Sequence, residues 1–251
     1  MMNPAEFANI AESEQNFWWY RGMRKIMFAL LDQEAARREY GAVLEVGAGT
    51  GHFSRELERR YGWRLFPSDL GWEGLEYARR YGVGRLAQAD MRRLPYAAAA
   101  FDAVVSMDVV VHLPRGEEDQ AMAEFARVAR PGGLLALRVS ALDVLRSRHS
   151  QFAMERQRFT KSRLLRLAAA HGFRAEWCSY ANSLLFPVAL AKFRIVEPLT
   201  RQAPASGVEP VAPWLDSLLH APLALESKWL GAGGRFPIGQ SLILLARKRG
   251  A

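Results

Sequence analysis

Short runs of apolar β-forming residues alternate along this chain with stretches whose apolar positions recur at helical spacing. Val43-Leu44-Glu45-Val46 is the first run, and it passes straight into Gly47-Ala48-Gly49-Thr50-Gly51. Behind the glycines, His52 to Tyr61 carries Phe53 and Leu57 four apart with Arg and Glu elsewhere, which predicts a helix. The rhythm then repeats. Trp63–Asp69 predicts a second strand, with Pro67 announcing an irregular end, and Trp72–Tyr81 a helix. Arg85–Met91 predicts a third strand, Phe101–Leu113 a fourth together with its exit, and Glu117–Ala129 another helix. Arg130-Pro131-Gly132-Gly133 is a turn, with a fixed-φ proline and permissive glycines, and Leu134–Val139 is the fifth strand after it. Thr160 caps a helix that closes at His171-Gly172-Phe173. Ala175–Ser183 and Phe236–Lys248 supply the last two strands. Strands and helices in alternation predict an α/β fold.

Two segments break the rhythm. Residues 3–38 read as a helical preface that contains Phe17-Trp18-Trp19-Tyr20, and four consecutive aromatics are too costly to expose, so they must cover something. Residues 187–235 hold Pro198, Pro204, Pro210, Pro213 and Pro222 among short amphipathic runs and read as an inserted helical cap. The expected organisation is a lid segment over 1–40, a core over 41–186, the cap over 187–235 and a final core strand over 236–251.

At 251 residues, half of them hydrophobic, the chain can bury the core of one sizeable domain. Its net charge of +8 comes mainly from arginine, since only Lys25, Lys161, Lys192, Lys228 and Lys248 are lysines. Such a balance suits nucleic acid, an anionic membrane surface or an acidic substrate, but the cations are spread thinly, and a basic solvated surface accounts for them. The single Cys178 excludes an intramolecular disulfide and a cysteine-rich zinc site. The polar, acidic N-terminus lacks the basic region and apolar core of a signal peptide, and the apolar run Leu184–Ala191 is too short to span a bilayer. A cytoplasmic location is the default expectation.

The chemistry concentrates where the first strand ends. Glycines let a backbone approach a ligand, and the N-terminus of the following helix offers unpaired N–H groups and partial positive charge, so this is a nucleotide-binding corner. A dinucleotide fingerprint needs G-x-G-x-x-G, and its third glycine would fall where this chain has His52. Asp69, eighteen residues past Gly51, ends the second strand where a parallel fold holds a ribose, and a carboxylate accepts two hydrogen bonds from a cis-diol. Ser106 to His112 leaves the carboxyl end of the fourth strand and faces the same crevice; Asp108 and His112 are its chemically able side chains. Histidine titrates near neutrality, which makes His112 the first candidate for a base.

Glu45 with Gly47, Gly49 and Gly51 forms E-x-G-x-G-x-G, which resembles the first motif of the class I S-adenosylmethionine-dependent methyltransferases. Asp69 before a turn and helix, Asp90-Met91 after the third strand, Phe101-Asp102 opening the fourth, His112-Leu113-Pro114 at its exit and Arg130-Pro131-Gly132-Gly133 follow in that family's order. Glu14-x-x-Phe17-Trp18-Trp19-Tyr20-Arg21-Gly22-x-Arg24 also resembles the N-terminal segment of a bacterial subgroup. The resemblance is firm over about residues 41–140 and looser at both ends. It implies a seven-stranded, mostly parallel sheet with an antiparallel last strand, and S-adenosylmethionine as cofactor. It further implies that Glu45, the three glycines, Asp69 and Leu70 hold the cofactor, that Asp90 accepts the adenine amino group, and that Met91 and Met107 pack beside it. At least one of the aromatics, with Trp19 the candidate, is expected to close over it, and Arg24 or Arg21 is available to a carboxylate.

An activated methyl needs only binding, exclusion of water and an in-line nucleophile, so the cofactor motifs are legible and the acceptor is not. His112 and Asp108 are the catalytic candidates, and Tyr20, Tyr180 and Asn182 are candidates for the acceptor pocket. The expected reaction is methyl transfer to a small molecule of lipid-linked, glycan or secondary-metabolite type. No zinc cluster or serine elbow is present in the sequence. Rival readings are a nucleic-acid methyltransferase, against which no RNA-binding module or N/D-P-P-Y tetrapeptide is found, a silent cofactor-binding scaffold with peripheral membrane contact, and an aminopropyl transferase. Oligomeric state stays open.

Overall fold

The computed structural model describes residues 2–200, 203–208 and 211–250. Its helices are α1 (Pro4–Ser13), α2 (Trp18–Arg37), α3 (His52–Tyr61), α4 (Trp72–Arg80), α5 (Glu118–Val128), α6 (Arg148–Phe152), α7 (Lys161–Ala170), α8 (Phe186–Ala191), α9 (Glu197–Thr200) and α10 (Pro213–Gly231). Its strands are β1 (Ala42–Val46), β2 (Arg64–Asp69), β3 (Ala87–Gln88), β4 (Phe101–Met107), β5 (Ala129–Ser140), β6 (Phe173–Ala181) and β7 (Ser241–Lys248). They form one sheet in the order β3-β2-β1-β4-β5-β7-β6. β7 is antiparallel to both β5 and β6, and the pairs among β1 to β5 are parallel. After β1 the chain winds outward to β3, then returns to place β4 on the other side of β1. That reversal opens a crevice at the carboxyl ends of β1 and β4.

Side chains alternate between the two faces of the sheet, so two apolar clusters form. Leu44, Val104, Leu135 and Leu244 pack with Phe125 and Val128 of α5 and Leu164 of α7. Val43, Val105, Leu134 and Ile243 pack with Ile26 and Met27 of α2 and Leu223 and Leu230 of α10. Segment 1–40 therefore contributes a core helix as well as any lid. The same is true of 187–235, where α10 lies along α2 while α8, a π-helical turn over Lys192–Val196 and α9 sit apart from it. Positions 201, 202, 209 and 210 of that segment are outside the described residues.

The structure corrects three local expectations. The third strand shrinks to Ala87–Gln88, because Arg85 takes a left-handed backbone and residues 90–93 close a turn through the Arg93 N–H to the Asp90 carbonyl. β2 runs straight through Pro67, and β3 pairs with it only from Ser68, so the missing N–H sits where β2 has no outer neighbour. Arg130-Pro131-Gly132-Gly133 is not a separate turn but an irregularity inside β5, where the β4–β5 register shifts between Phe101 and Ala103. Asp102 lies at that shift and accepts the N–H groups of Gly41 and Ala42, both at 2.9 Å, which ties the start of β1 to β4.

Candidate active site

The turn after β1 is fastened to β2 by main-chain bonds. Gly47 and Ala48 donate to the Ser68 carbonyl at 2.7 and 2.9 Å. A Cβ on Gly47 would overlap the Val109 methyls, so glycine here lets the exit of β4 close down on the turn. Asp69 makes a second fastening: one carboxylate oxygen accepts from Gly49 N–H at 2.8 Å and the other from Gly71 N–H at 2.7 Å. Each oxygen keeps a lone pair, so the clasp leaves Asp69 able to accept from a ligand. Burial pushes its pKa up against those bonds. Glu45 is buried beneath the turn, accepts from the Ser54 hydroxyl, and is pushed by burial to about 8, so it is mostly protonated at neutral pH.

This corner opens into a cavity of about 1010 Å³ that runs from the glycine turn to α10. Specific small-molecule pockets rarely exceed ~1,000 Å³, so there is room for two ligands side by side. Of the residues expected at the cofactor, Trp19, Arg24, Glu45, Gly47, Gly49, Asp69, Leu70, Asp90, Met91 and Met107 line it, as do Asp108 and His112. Gly51 does not. It caps α3, and a Cβ there would lie 2.7 Å from that of Ala78, so its small size serves the packing of α3 on α4. Tyr180 and Asn182 also lie off the cavity wall: the Tyr180 hydroxyl accepts from Lys161 N–H at 3.3 Å, and Asn182 is fully buried.

Several of these side chains are already engaged. Asp90 is held by Arg92 through its main-chain N–H at 2.9 Å and its guanidinium at 2.5 to 3.1 Å, which keeps its pKa low. Arg24 pairs with Glu56 at 2.9 Å and donates to the Glu14 carbonyl, while Arg21 pairs with Asp216 of α10 and turns away from the corner. Asp108 has a left-handed backbone and pairs with Arg138, whose guanidinium lies 5.0 Å over the Trp19 ring. The His112 Nδ1 faces the Met154 carbonyl at 3.3 Å. A carbonyl can only accept, so the tautomer with hydrogen on Nδ1 is favoured and Nε2 is left as the basic nitrogen. Burial lowers the His112 pKa from its ordinary value, which keeps the ring neutral at pH 7.

Two lining residues were missed in the sequence. Glu14 of the N-terminal segment is buried, accepts from the Thr50 hydroxyl at 2.6 Å, and is pushed by burial to about 7. Its signal was the acid that opens the aromatic segment. Arg138 was visible as the one charge inside an apolar strand. Among the described residues, Glu14 Oε1 and Asp108 Oδ1 are buried and have no hydrogen-bond partner. Both residues line the cavity, and buried carboxylate oxygens without a partner are costly unless a ligand meets them, which a cationic ligand does best. Away from the glycine corner the wall carries Arg148, paired with Glu197 at 4.0 Å, and Arg158, paired with Glu155 at 2.9 Å, together with His149, Phe193, Leu215 and Leu219.

An open sheet of this order, with a glycine turn after β1, an acid closing β2 and a crevice at the β1–β4 switch, defines a Rossmann-like methyltransferase scaffold. Comparison with known proteins narrows it. A family model described as "Methyltransferase domain" matches residues 44–137. Methyltransferase GfsG of Streptomyces halstedii is 34% identical over 122 residues, 46% of this chain and 42% of that protein. A malonyl-[acyl-carrier protein] O-methyltransferase of Enterobacter lignolyticus is 34% identical over 176 residues, 68% of either chain. The PH0226 protein of Pyrococcus horikoshii superposes with a TM-score of 0.60 over 96% of both chains at 18% identity. The chain spans less than half the length of some of these relatives, 42% of GfsG and 36% of a Pectobacterium atrosepticum malonyl-[acyl-carrier protein] O-methyltransferase. It belongs to the class I S-adenosylmethionine-dependent methyltransferase family, whose cofactor is S-adenosylmethionine.

Proposed function

We propose that this chain transfers a methyl group from S-adenosylmethionine to an anionic, partly apolar small molecule held at the far end of the cavity. The observation that carries this is one continuous cavity lined at the glycine corner by Glu14 and Asp108, each with an unpartnered carboxylate oxygen, and elsewhere by Arg148 and Arg158, paired with Glu197 and Glu155, together with Phe193, Leu215 and Leu219. The residues present fit the cofactor. Glu14 and Asp108 offer acceptors to its cationic groups, Asp69 to the ribose hydroxyls, and Leu70, Met91 and Met107 an apolar slot for the base. Bound there, S-adenosylmethionine supplies a methyl whose bond to sulfur breaks as the acceptor's lone pair bonds the carbon, the old bonding pair staying on sulfur. The protein's share is position and dryness. Trp19 and Tyr20 exclude water on one side, and the Arg138–Trp19 stack holds that wall rigid. His112 Nε2 takes a proton where the acceptor must lose one, and Arg148 and Arg158 orient an acidic group. The Enterobacter relative is named for a malonyl acceptor, and Arg148 and Arg158 are the groups here that suit an acidic acceptor.

Titration calorimetry with S-adenosylhomocysteine tests the cofactor half. Micromolar binding is expected, and Asp69→Asn should weaken it by about 1.5–3 kcal/mol, the worth of a hydrogen bond to a charged group. A folded protein that takes up neither S-adenosylhomocysteine nor S-adenosylmethionine would end this reading. Radiolabelled methyl transfer to carboxylate-bearing and neutral amphiphiles tests the acceptor half. His112→Asn should lower kcat by about 10²–10⁴ for an acceptor that gives up a proton, with cofactor affinity unchanged.

A further inference from the structure

The outer side of the segment between β6 and β7 is apolar in a regular way that the cavity does not explain. From Phe186 to Thr200 the chain is helical throughout; Val188, Ile195 and Leu199 recur along it at intervals of seven and four, and Leu184 lies four residues ahead of Val188 in the turn before it. They form one face, and all are exposed, Leu199 to 78% and Val188 to 60%. α10 repeats the device. Trp214, Leu218, Leu225 and Trp229 share the same intervals and are exposed at 69, 60, 61 and 55%, while Leu223 and Leu230 on its other face are in the core. Ser183 and Leu184 donate their N–H groups to Glu226 of α10 at 2.7 and 2.6 Å, which ties the start of the first stripe to α10.

Within the described part of 184–235 the exposed charges have one sign, while the exposed Asp143 stands outside it beside Arg194. Among the described residues of 184–235, the exposed charged side chains are Lys192, Arg194, Lys228 and Arg235. The described acids of the segment are turned inward: Glu197 to Arg148, Asp216 to Arg21 and Trp18 N–H, and Glu226 to Ser183 and Leu184. Monomeric proteins seldom leave two such stripes exposed without a use. We propose that this face docks on an anionic lipid surface. Apolar stripes that lie in the plane of an interface, tryptophans at both ends of one of them about 22 Å apart, and a cationic fringe are the features such a surface selects. From the described residues of 184–235, a second copy of this chain would bring the same exposed cations and no exposed acid to receive them. Lys192, Phe193, Leu215 and Leu219 reach the cavity from these same helices, so the docked face adjoins the far end of the cavity, and an amphiphile has a short path into it.

Co-flotation with vesicles tests this independently of cofactor binding. The protein should float with phosphatidylcholine vesicles that contain phosphatidylglycerol and stay behind with phosphatidylcholine alone. Raising the salt should release it. Lys228→Glu with Arg235→Glu should lower the bound fraction on the order of tenfold, and Trp214→Ser with Leu218→Ser should abolish binding. All four residues lie off the cavity wall, so S-adenosylhomocysteine affinity serves as the check on folding. A wild-type protein that ignores anionic vesicles overturns the proposal. So does sedimentation as a dimer that Trp214→Ser with Leu218→Ser dissociates while flotation is absent, which would give the face to a second copy.

Discussion

Gly49 and Gly51 both hold a left-handed backbone, with φ of +54° and +76°, but for different reasons. A Cβ on Gly49 would meet nothing within 4 Å and would project into the cavity, whereas one on Gly51 would collide with Ala78 of α4. Alanine at 49 should therefore cost only the left-handed strain, about 1–2 kcal/mol, and abolish binding of S-adenosylhomocysteine. Alanine at 51 should cost that plus repacking, about 2–5 kcal/mol together. Thermal unfolding beside calorimetry separates the two. The acids beneath the turn make a pH prediction. Burial raises Glu45 from 4.5 to about 8, so the folded state holds a proton that the unfolded chain has given up. Its stabilising share is complete below pH 4.5 and is lost as pH climbs through about 8; Glu45→Gln, which still accepts from Ser54, should flatten the Tm slope across that window. A bound cation reverses the preference and favours the carboxylate at both Glu45 and Glu14. S-adenosylmethionine binding should then release protons and weaken as pH falls below about 7, where Glu14 also protonates. Calorimetry in buffers of differing ionisation enthalpy measures the release, and a proton count of zero at pH 7 would refute it.

At the scale of elements, the site depends on a helix tie that no local pattern announces. Asp216 of α10 accepts the N–H of Trp18 at 2.8 Å and pairs with Arg21, so an acid 198 residues away caps α2 and fixes where its aromatics stand. Asp216→Ala should cost about 1–3 kcal/mol in stability. It should also loosen S-adenosylhomocysteine binding, because Trp18, Trp19 and Tyr20 line the cavity; a drop in Tm with full affinity would refute the second effect. The elements themselves were largely legible. Alternation of β-runs with helical spacing located β1, α3, β2 and α4 within a residue or so, and the start of β4, since those patterns are local. What failed was decided by neighbours. β3 needed only two residues because it is an edge strand, and the Arg130 turn was absorbed into β5 because β4 accommodates a register shift. Likewise α2 and α10 read as lid and cap, and only their mutual packing makes them core. For the same reason Asp90 was foreseen as an acceptor, but the hold that Arg92 and its own turn have on it was not.

Over the whole molecule, the mouth of the cavity is assembled from pieces that lie far apart in the chain. Glu6 of α1 accepts from the Ser206 hydroxyl at 3.0 Å, and its carboxylate lies 3.8 Å from His149 of α6. His149 in turn accepts from Gly207 N–H at 3.0 Å through Nδ1. α1 also seats Phe7 against Gly71 and Gly74, where an added Cβ would strike its ring, so the same helix that closes the mouth rests on the turn that Asp69 organises. Residues 203–208 carry no assigned helix or strand, and such segments open at low free energy. A ligand that meets Glu14 on the inside of this clasp must favour its closed form. Hydrogen exchange should therefore slow in α1 and in 203–208 when S-adenosylhomocysteine binds, while the β4 and β5 amides, already protected in the sheet, should change little. Glu6→Gln keeps the Ser206 bond but removes the charge facing His149, and Ser206→Ala removes the bond. If the clasp closes over the ligand, Ser206→Ala should speed exchange in both segments at once and raise the rate at which S-adenosylhomocysteine dissociates. Faster exchange in 203–208 alone, with dissociation unaltered, would mean that α1 holds the ligand without the clasp.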